Sequence, residues 1–359
     1  MVNCWSTQMP RRQGLPLLEE LARRNEPWQI SDIDTCGGGL PDDLAIFAPN
    51  HPECLVPMLM RGGTLAGLLV LGARLSEESY SREDRRLLCA VAAQAGVTLD
   101  NMLLAEDMAE RIETERRIAR DMEIAKQVQA RLFPQKLPPL DTLEYAGRCI
   151  QAREVGGDYY DFLNLGAGSM GIVLADIVGK GIPGALLMAN LQADVRSQCA
   201  VASQDLPQFL KSVNQSFFEN TDEGRYATLF VGDYQDSSCR LRYANCGHNT
   251  PLLVRSNGTA ERLTATATVF GLFEEWESSL GDVQIKGGDV LVIYTDGITE
   301  ANNADGEEFG ESRLVETIRR HLAAPVLLIL DAIFRAALEF SGGEGKMRDD
   351  LTLVVARGR

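Results

Sequence analysis

Asp158, Asp176, Asp296 and the pair Asp349 and Asp350 stand where apolar or glycine-bearing stretches begin or end, in GGDYYD (156–161), ADIVGKG (175–181), YTDGITE (294–300) and MRDDLTL (347–353). Carboxylates delivered from strand ends are short, stiff oxygen ligands, and hard divalent cations take oxygen. None of the four segments contains His or Cys, so the donor set favours Mg²⁺ or Mn²⁺ over Zn²⁺ or Cu²⁺. Gathered in a partly buried cleft, such carboxylates repel one another and are pushed toward protonation, a conflict that bound cations remove. Two cations about 3.5–4 Å apart acidify a water held between them and clamp an in-line displacement at phosphorus. Hydrolysis of a phosphate ester is the chemistry implied. Any one of these segments alone is equally well a plain turn, because Asp and Gly serve turn geometry without a metal.

The elements that must carry these residues are legible beside them. GIVLADI (171–177) is a continuous apolar run that stops at Asp176 and a Gly-rich turn, which predicts a buried strand ending there. DVLVIYTDG (289–297) predicts a second strand that ends before Asp296, and Leu351–Val355 a third that begins just after Asp350. Gly156 and Gly157 precede Asp158 and let backbone approach a ligand. A helix over Gly184–Gln198, with Pro183 near its start, carries Leu186, Leu187, Leu191 and Val195 at helical spacing, which is packing rather than chemistry. His248 lies in Asn245-Cys246-Gly247-His248-Asn249, a turn between strands Leu241–Ala244 and Leu252–Val254, so its expected role is structural rather than acid–base. Lys180, flanked by Gly179 and Gly181, is placed at the cleft rim and outside the catalytic set.

Upstream, Leu55–Met60 and Leu65–Leu71 around Arg61-Gly62-Gly63 form a hairpin pattern, and Ser81-Arg82-Glu83-Asp84 has the spacing that opens a helix. CLVPMLMRGGTLAGLLVLG followed by YSREDRRLLCAVAAQAGVTLDN resembles the final hairpin and helix of a GAF sensory domain, a likeness covering residues 15–104. Residues 101–133 are highly charged, lack Gly and Pro, and end at Pro134. Leu104, Met108, Ile118, Met122, Ala125 and Leu132 fall on a 4-3 seam that Arg111, Glu115 and Gln129 interrupt, which predicts a short, imperfect dimeric coiled coil. A lone amphipathic connector is the alternative.

The chain has 359 residues and a net charge of −16. That charge argues against non-specific nucleic-acid binding. No run of about 18 apolar residues and no signal-peptide pattern in Met1–Pro10 is present, so no membrane span and a cytoplasmic location are expected. The eight cysteines form no CxxC pair, which disfavours structural zinc and a disulfide framework.

The segments MEIAKQVQARLFPQ (122–135), REVGGDYYDF (153–162), LADIVGKGIPGALLMA (174–189), YATLFVGDY (226–234), LRYANCGHNTPLLV (241–254), GDVLVIYTDGITEA (288–301) and RDDLTLVV (348–355) together resemble the PPM-type metal-dependent serine/threonine phosphatases, in the bacterial branch of SpoIIE and RsbU. The resemblance implies an α+β fold, an α-β-β-α sandwich of two antiparallel sheets with two Mn²⁺ or Mg²⁺ ions in the cleft at one end. It implies that Asp176 bridges both ions, with the carbonyl of Ile177 beside it, that Asp296 and Asp349 complete one site, and that Asp158 serves the other. Asp350 is then a plain exposed turn residue. Arg153, five residues before Asp158, takes the place of a phosphate-binding arginine, whose fork suits phosphate oxygens. Val178 stands where eukaryotic relatives carry a histidine, so the leaving group is protonated from elsewhere. The expected domains are a GAF-like sensory domain (1–104), a helical coiled-coil linker (105–134) and a phosphatase domain (135–359). The expected function is hydrolysis of phosphoserine or phosphothreonine in a partner-switching pathway. Its substrate is a small phosphorylated anti-sigma-factor antagonist, and the chain is a homodimer through the linker helix. A non-catalytic or partner-activated signalling scaffold is the alternative, and a metal-dependent nuclease fits the acidic charge and motif order poorly.

Overall fold

A computed structural model describes residues 16–32, 51–74, 78–202, 205–222 and 224–359. The chain divides into two units, Met1–Ile118 and Ala119–Arg359. Segments 1–15, 33–50 and 75–77 of the expected GAF-like region lie outside the described residues.

In the first unit, α1 (Pro16–Arg24) precedes β1 (Trp28–Gln29), β2 (Cys54–Leu59) and β3 (Leu65–Leu71), which form one antiparallel sheet in that order. The hairpin stands where the sequence predicts it. Alternation along β2 sends Leu55 toward Leu21, whereas Cys54 and Val56 pack with Ala92 on the other face. Ala92 belongs to α2 (Arg82–Ala130). Its start carries the predicted reciprocal cap: Asp84 N donates to Ser81 Oγ at 3.2 Å, and Ser81 N donates to Asp84 Oδ2 at 2.8 Å. The helix then runs unbroken for 49 residues, through position 104, where the sequence reading ends one domain and begins a linker. No Pro interrupts it, and its single Gly has a packing reason: a Cβ at Gly96 would lie 2.3 Å from the carbonyl oxygen of Leu59. Met108, Ile112, Ile118, Ile124 and Val128 along it are exposed. One 18-residue window of α2 has mean hydropathy 1.5, enough by length and composition to cross a membrane. Gln94, Thr98, Asp100 and Asn101 interrupt that part of the helix, so no uninterrupted apolar run marks it in the sequence.

The second unit continues with β4 (Leu143–Ile150), β5 (Tyr159–Gly166), β6 (Ser169–Ile177), α3 (Ile182–Ala202), α4 (Leu206–Glu219), β7 (Ala227–Gln235), β8 (Arg240–Cys246), β9 (Leu252–Val254), β10 (Ala260–Arg262), β11 (Gly281–Gln284), β12 (Val290–Tyr294), α5 (Asp296–Thr299), α6 (Gly310–Arg320), α7 (Val326–Ser341) and β13 (Leu351–Gly358). Two five-stranded sheets result, ordered β10-β9-β12-β13-β4 and β11-β8-β7-β6-β5, with antiparallel neighbours throughout.

Phe162, Ile172, Leu174 and Phe230 of one sheet interleave with Leu253, Leu291, Ile293 and Val354 of the other. On the outer faces, Val173 and Ala175 pack with Leu191, Val195 and Phe209 of the α3–α4 pair, and Val292 and Val355 with Leu314, Leu330 and Ile333 of α6 and α7. This is the expected α-β-β-α sandwich. Because both faces of β6 are covered, it reads as a continuous apolar run rather than an alternating one. The expected helix over 184–198 is longer, and Leu186 on it is 64% exposed, so only part of its predicted apolar stripe is core. A buried carboxylate anchors α3 to its sheet: Arg196 of α3 donates to both oxygens of Asp161 of β5, at 2.7 and 2.9 Å, and Tyr159 Oη donates to Asp161 Oδ2 at 2.8 Å.

Candidate metal centre

Antiparallel pairing brings the end of β6 beside the start of β5, with Tyr159 opposite Ala175, and the start of β13 beside the end of β12, with Leu353 opposite Tyr294. Asp176 therefore stands near Asp158 in one sheet, and Asp296 near the Asp349–Asp350 pair in the other. The sheets are tied at this end through Asp158, which is buried. Thr295 Oγ1 donates to its Oδ2 at 2.9 Å, and Thr352 Oγ1 donates to the same oxygen.

The electrostatics show how closely the carboxylates crowd. Burial pushes Asp158 well above the usual carboxylate range, and Asp176 and Asp350 add to the effect while the two threonine hydroxyls oppose it. Asp176 rises to about 7, first through burial and then through Asp296, Asp349 and Asp350. Burial and Asp349 raise Asp296. Lys180 Nζ offsets part of this charge, donating to Asp349 Oδ2 at 2.7 Å and to the Arg348 carbonyl at 3.1 Å.

Asp350 corrects the sequence reading. It is buried rather than an exposed turn residue, accepting from Ala152 N at 2.8 Å on Oδ1 and from Gly157 N at 3.1 Å on Oδ2. Gly156 is required here, since a Cβ on it would lie 1.8 Å from Asp350 Oδ2. A Cβ on Gly157 would lie 2.7 Å from the carbonyl oxygen of Ile177, so the Gly pair, Asp158 and that carbonyl share one corner. Arg153 is exposed at the rim, with Nη1 3.8 Å from where a Cβ of Gly181 would be, and it lines the same cleft as Lys180, Asp176 and Asp349.

The arrangement fits hard divalent cations. Its donors are oxygen only, and crowded carboxylates whose affinity for protons is raised also attract other cations. Among the described residues, no three His, Cys, Asp or Glu groups already converge as a finished ligand set. Physical reasons are at hand in the Lys180 contact to Asp349, the hydroxyls on Asp158 and the mutual repulsion.

The family model described as Stage II sporulation protein E (SpoIIE) matches residues 166–359, more than half of the chain. The chain belongs to the SpoIIE family. Among curated relatives it is similar to the phosphoserine phosphatase RsbU of Bacillus subtilis (strain 168), 28% identical over 67% of this chain and 70% of that protein. It is also similar to protein IcfG of Synechocystis sp., 28% identical over 66% of this chain, though the match spans only 41% of IcfG. Among solved structures, the SiaA-PP2C domain of Pseudomonas aeruginosa shares the fold, with a TM-score of 0.59 at 21% identity over 68% of this chain and 98% of that one. The RsbU and RsbW domains of a Mycobacterium tuberculosis protein give a TM-score of 0.54 at 25% identity, covering 62% of each chain.

Three residues that brace this cleft escape a reading by sequence: Thr295 and Thr352, which hold Asp158, and Gln129, whose amide reaches Gly156. Their partners lie across the sandwich or on a preceding helix, and no local spacing announces them. His248 does not line the cleft. It is buried, its backbone N donates to Asn245 Oδ1 at 2.8 Å, and its Nδ1 shares a 2.8 Å hydrogen bond with Thr228 Oγ1. Burial lowers its pKa to about 4; the Tyr294 backbone opposes the shift weakly, and no hydrogen bond of good geometry reaches Nε2.

The unfolded state binds a proton at His248 from about pH 6.5 downward, the folded state only near pH 4, so stability present above pH 6.5 is lost as pH falls through this window. Chemical denaturation should show wild type losing about 3 kcal/mol relative to His248→Asn between pH 6.5 and pH 4. Parallel pH profiles would refute the assignment.

Proposed function

We infer that this chain is a divalent-cation-dependent phosphoprotein phosphatase acting on phosphoserine or phosphothreonine. The observation that carries this is the mutual charge influence of Asp158, Asp176, Asp296 and Asp349 at one end of a SpoIIE-family sandwich, all four acidic positions being present. Asp176 and the Ile177 carbonyl, with Asp158, Asp296 and Asp349, would hold two Mn²⁺ or Mg²⁺ ions. When bound, those ions supply Lewis acidity toward water and the phosphoryl oxygens. Arg153 offers its fork to the phosphate at the rim, Lys180 adds a positive charge beside it, and the buried Asp158 carboxylate is aimed by Thr295 and Thr352.

The similarity to RsbU, a phosphoserine phosphatase, supports a phosphoprotein substrate, of the type of a small anti-sigma-factor antagonist in partner switching. The acidic charge fits a cytoplasmic protein that does not bind nucleic acid. The exposed apolar residues along α2 support a homodimer through that helix, with the first unit as a GAF-like sensory module. A purely scaffolding role is disfavoured, because a scaffold has no need to keep crowded carboxylates buried.

The test is hydrolysis of a phosphoserine peptide and of para-nitrophenyl phosphate with Mn²⁺, with Mg²⁺ and with chelator. Turnover that requires the metal and is lost with chelator is the expected result. Mn²⁺ binding without turnover on the peptide, the small ester or a phosphorylated partner protein would overturn it in favour of a scaffold.

A further inference from the structure

The last turns of α2 are exposed, Val128 to 58%, yet Gln129 among them is only 4% exposed. Both ends of its amide are engaged. Nε2 donates to the carbonyl of Gly156 at 2.7 Å, and Oε1 accepts from Gly156 N at 3.2 Å and from Gln151 Nε2 at 2.6 Å. One planar amide thus satisfies both backbone groups of Gly156, a buried position where leaving either unpaired is costly.

Gly156 is also the residue pressed against Asp350 Oδ2, the oxygen that accepts from Gly157 N. Gly157 in turn abuts the Ile177 carbonyl, and Asp158 follows it in the chain. The end of the helix is therefore two hydrogen bonds from a turn that touches Asp158, Asp350 and the Ile177 carbonyl. We propose that Gln129 is a positioning residue through which the C-terminal end of α2 sets the affinity of the carboxylate cluster for divalent cation.

The proposal rests on the reading in which that cluster binds cations, and it adds the point of control. Only a residue with donor and acceptor on one rigid group does this work. Leu fills the space and satisfies neither Gly156 group; ionised Glu can only accept, sets a negative oxygen against the Gly156 carbonyl and adds charge near Asp158. Because linkage is reciprocal, cation binding must also stabilise the helix end that holds Gln129.

The experiment compares full-length wild type, Gln129→Leu, Gln129→Glu and the exposed-site control Gln127→Leu. Mn²⁺ binding is measured by calorimetry, kcat at saturating Mn²⁺ by assay, and amide hydrogen exchange over 151–158 in chelator. The expected result is a Kd for Mn²⁺ raised roughly 10–100-fold in both Gln129 variants. Exchange at Gly156 and Gly157 should be faster in both, and the control unchanged in Kd, exchange and kcat. An unaltered Kd in the Gln129 variants, even with lowered stability, would overturn the proposal and leave the phosphatase reading standing. Wild type that binds no Mn²⁺ would overturn both together.

Discussion

Asp176→Asn is expected to abolish metal-dependent hydrolysis, lowering kcat by roughly 10³-fold or more, while making the metal-free protein more stable. The activity loss follows from removing the carboxylate proposed to serve both ions. The stability gain follows from the carboxylate's cost when no cation is bound. In the folded chain Asp176 titrates near 7, against an ordinary value of 3.8. The folded state therefore holds a proton through a window in which the unfolded state has released it. Stability is fully present below about pH 4 and is lost as pH rises through 7. The difference is on the order of 4 kcal/mol at pH 8, and Asn, which stays neutral, avoids it. Urea unfolding in chelator should show the variant more stable than wild type at pH 8 and the two converging toward pH 4. Saturating Mn²⁺ should reverse the order at pH 8 by stabilising wild type alone. A variant that is less stable than wild type in chelator at pH 8 would contradict the electrostatic account of the cleft, whatever its activity.

Arg196→Met should destabilise the second unit by about 3 kcal/mol. Asp161 is completely buried, and Arg196 answers both of its oxygens; without the guanidinium, a carboxylate under the α3 helix keeps only Tyr159 Oη and its neighbour's backbone N–H. The Arg side chain is 46% exposed, so water can reach its end, and the loss falls at the lower end of that seen for buried pairs. The double change Asp161→Leu with Arg196→Met should recover part of the loss, since the penalty lies in the uncompensated charge rather than in the missing contact. Denaturation midpoints of the two singles and the double decide this. Equal losses for Arg196→Met and the double variant would show that packing, not charge, sets the effect.

The positions of the proposed ligands were legible in the amino-acid order because they are local events. An apolar run such as Ile172–Leu174 or Val290–Tyr294 extends as a strand, and it ends where Asp and Gly favour a turn over continued pairing. The start of α2 at Ser81 and Asp84 was legible for the same reason, since cap and first turn lie within four residues. The continuity of α2 was written there too, in the absence of any stop signal from Arg82 to Ala130. The domain boundary expected at 104 falls inside that helix.

Tertiary structure alone decided which polar groups meet. Asp158 is held by Thr295 and Thr352, 137 and 194 positions away, Asp350 becomes a buried brace for the Gly156–Gly157 turn, and Gln129 reaches that turn from a helix. Periodicity tells a residue which face it lies on, but not which strand of the opposing sheet it will face. That depends on register and layer packing summed over the whole sandwich, and it turns four scattered aspartates into one electrostatically strained cleft.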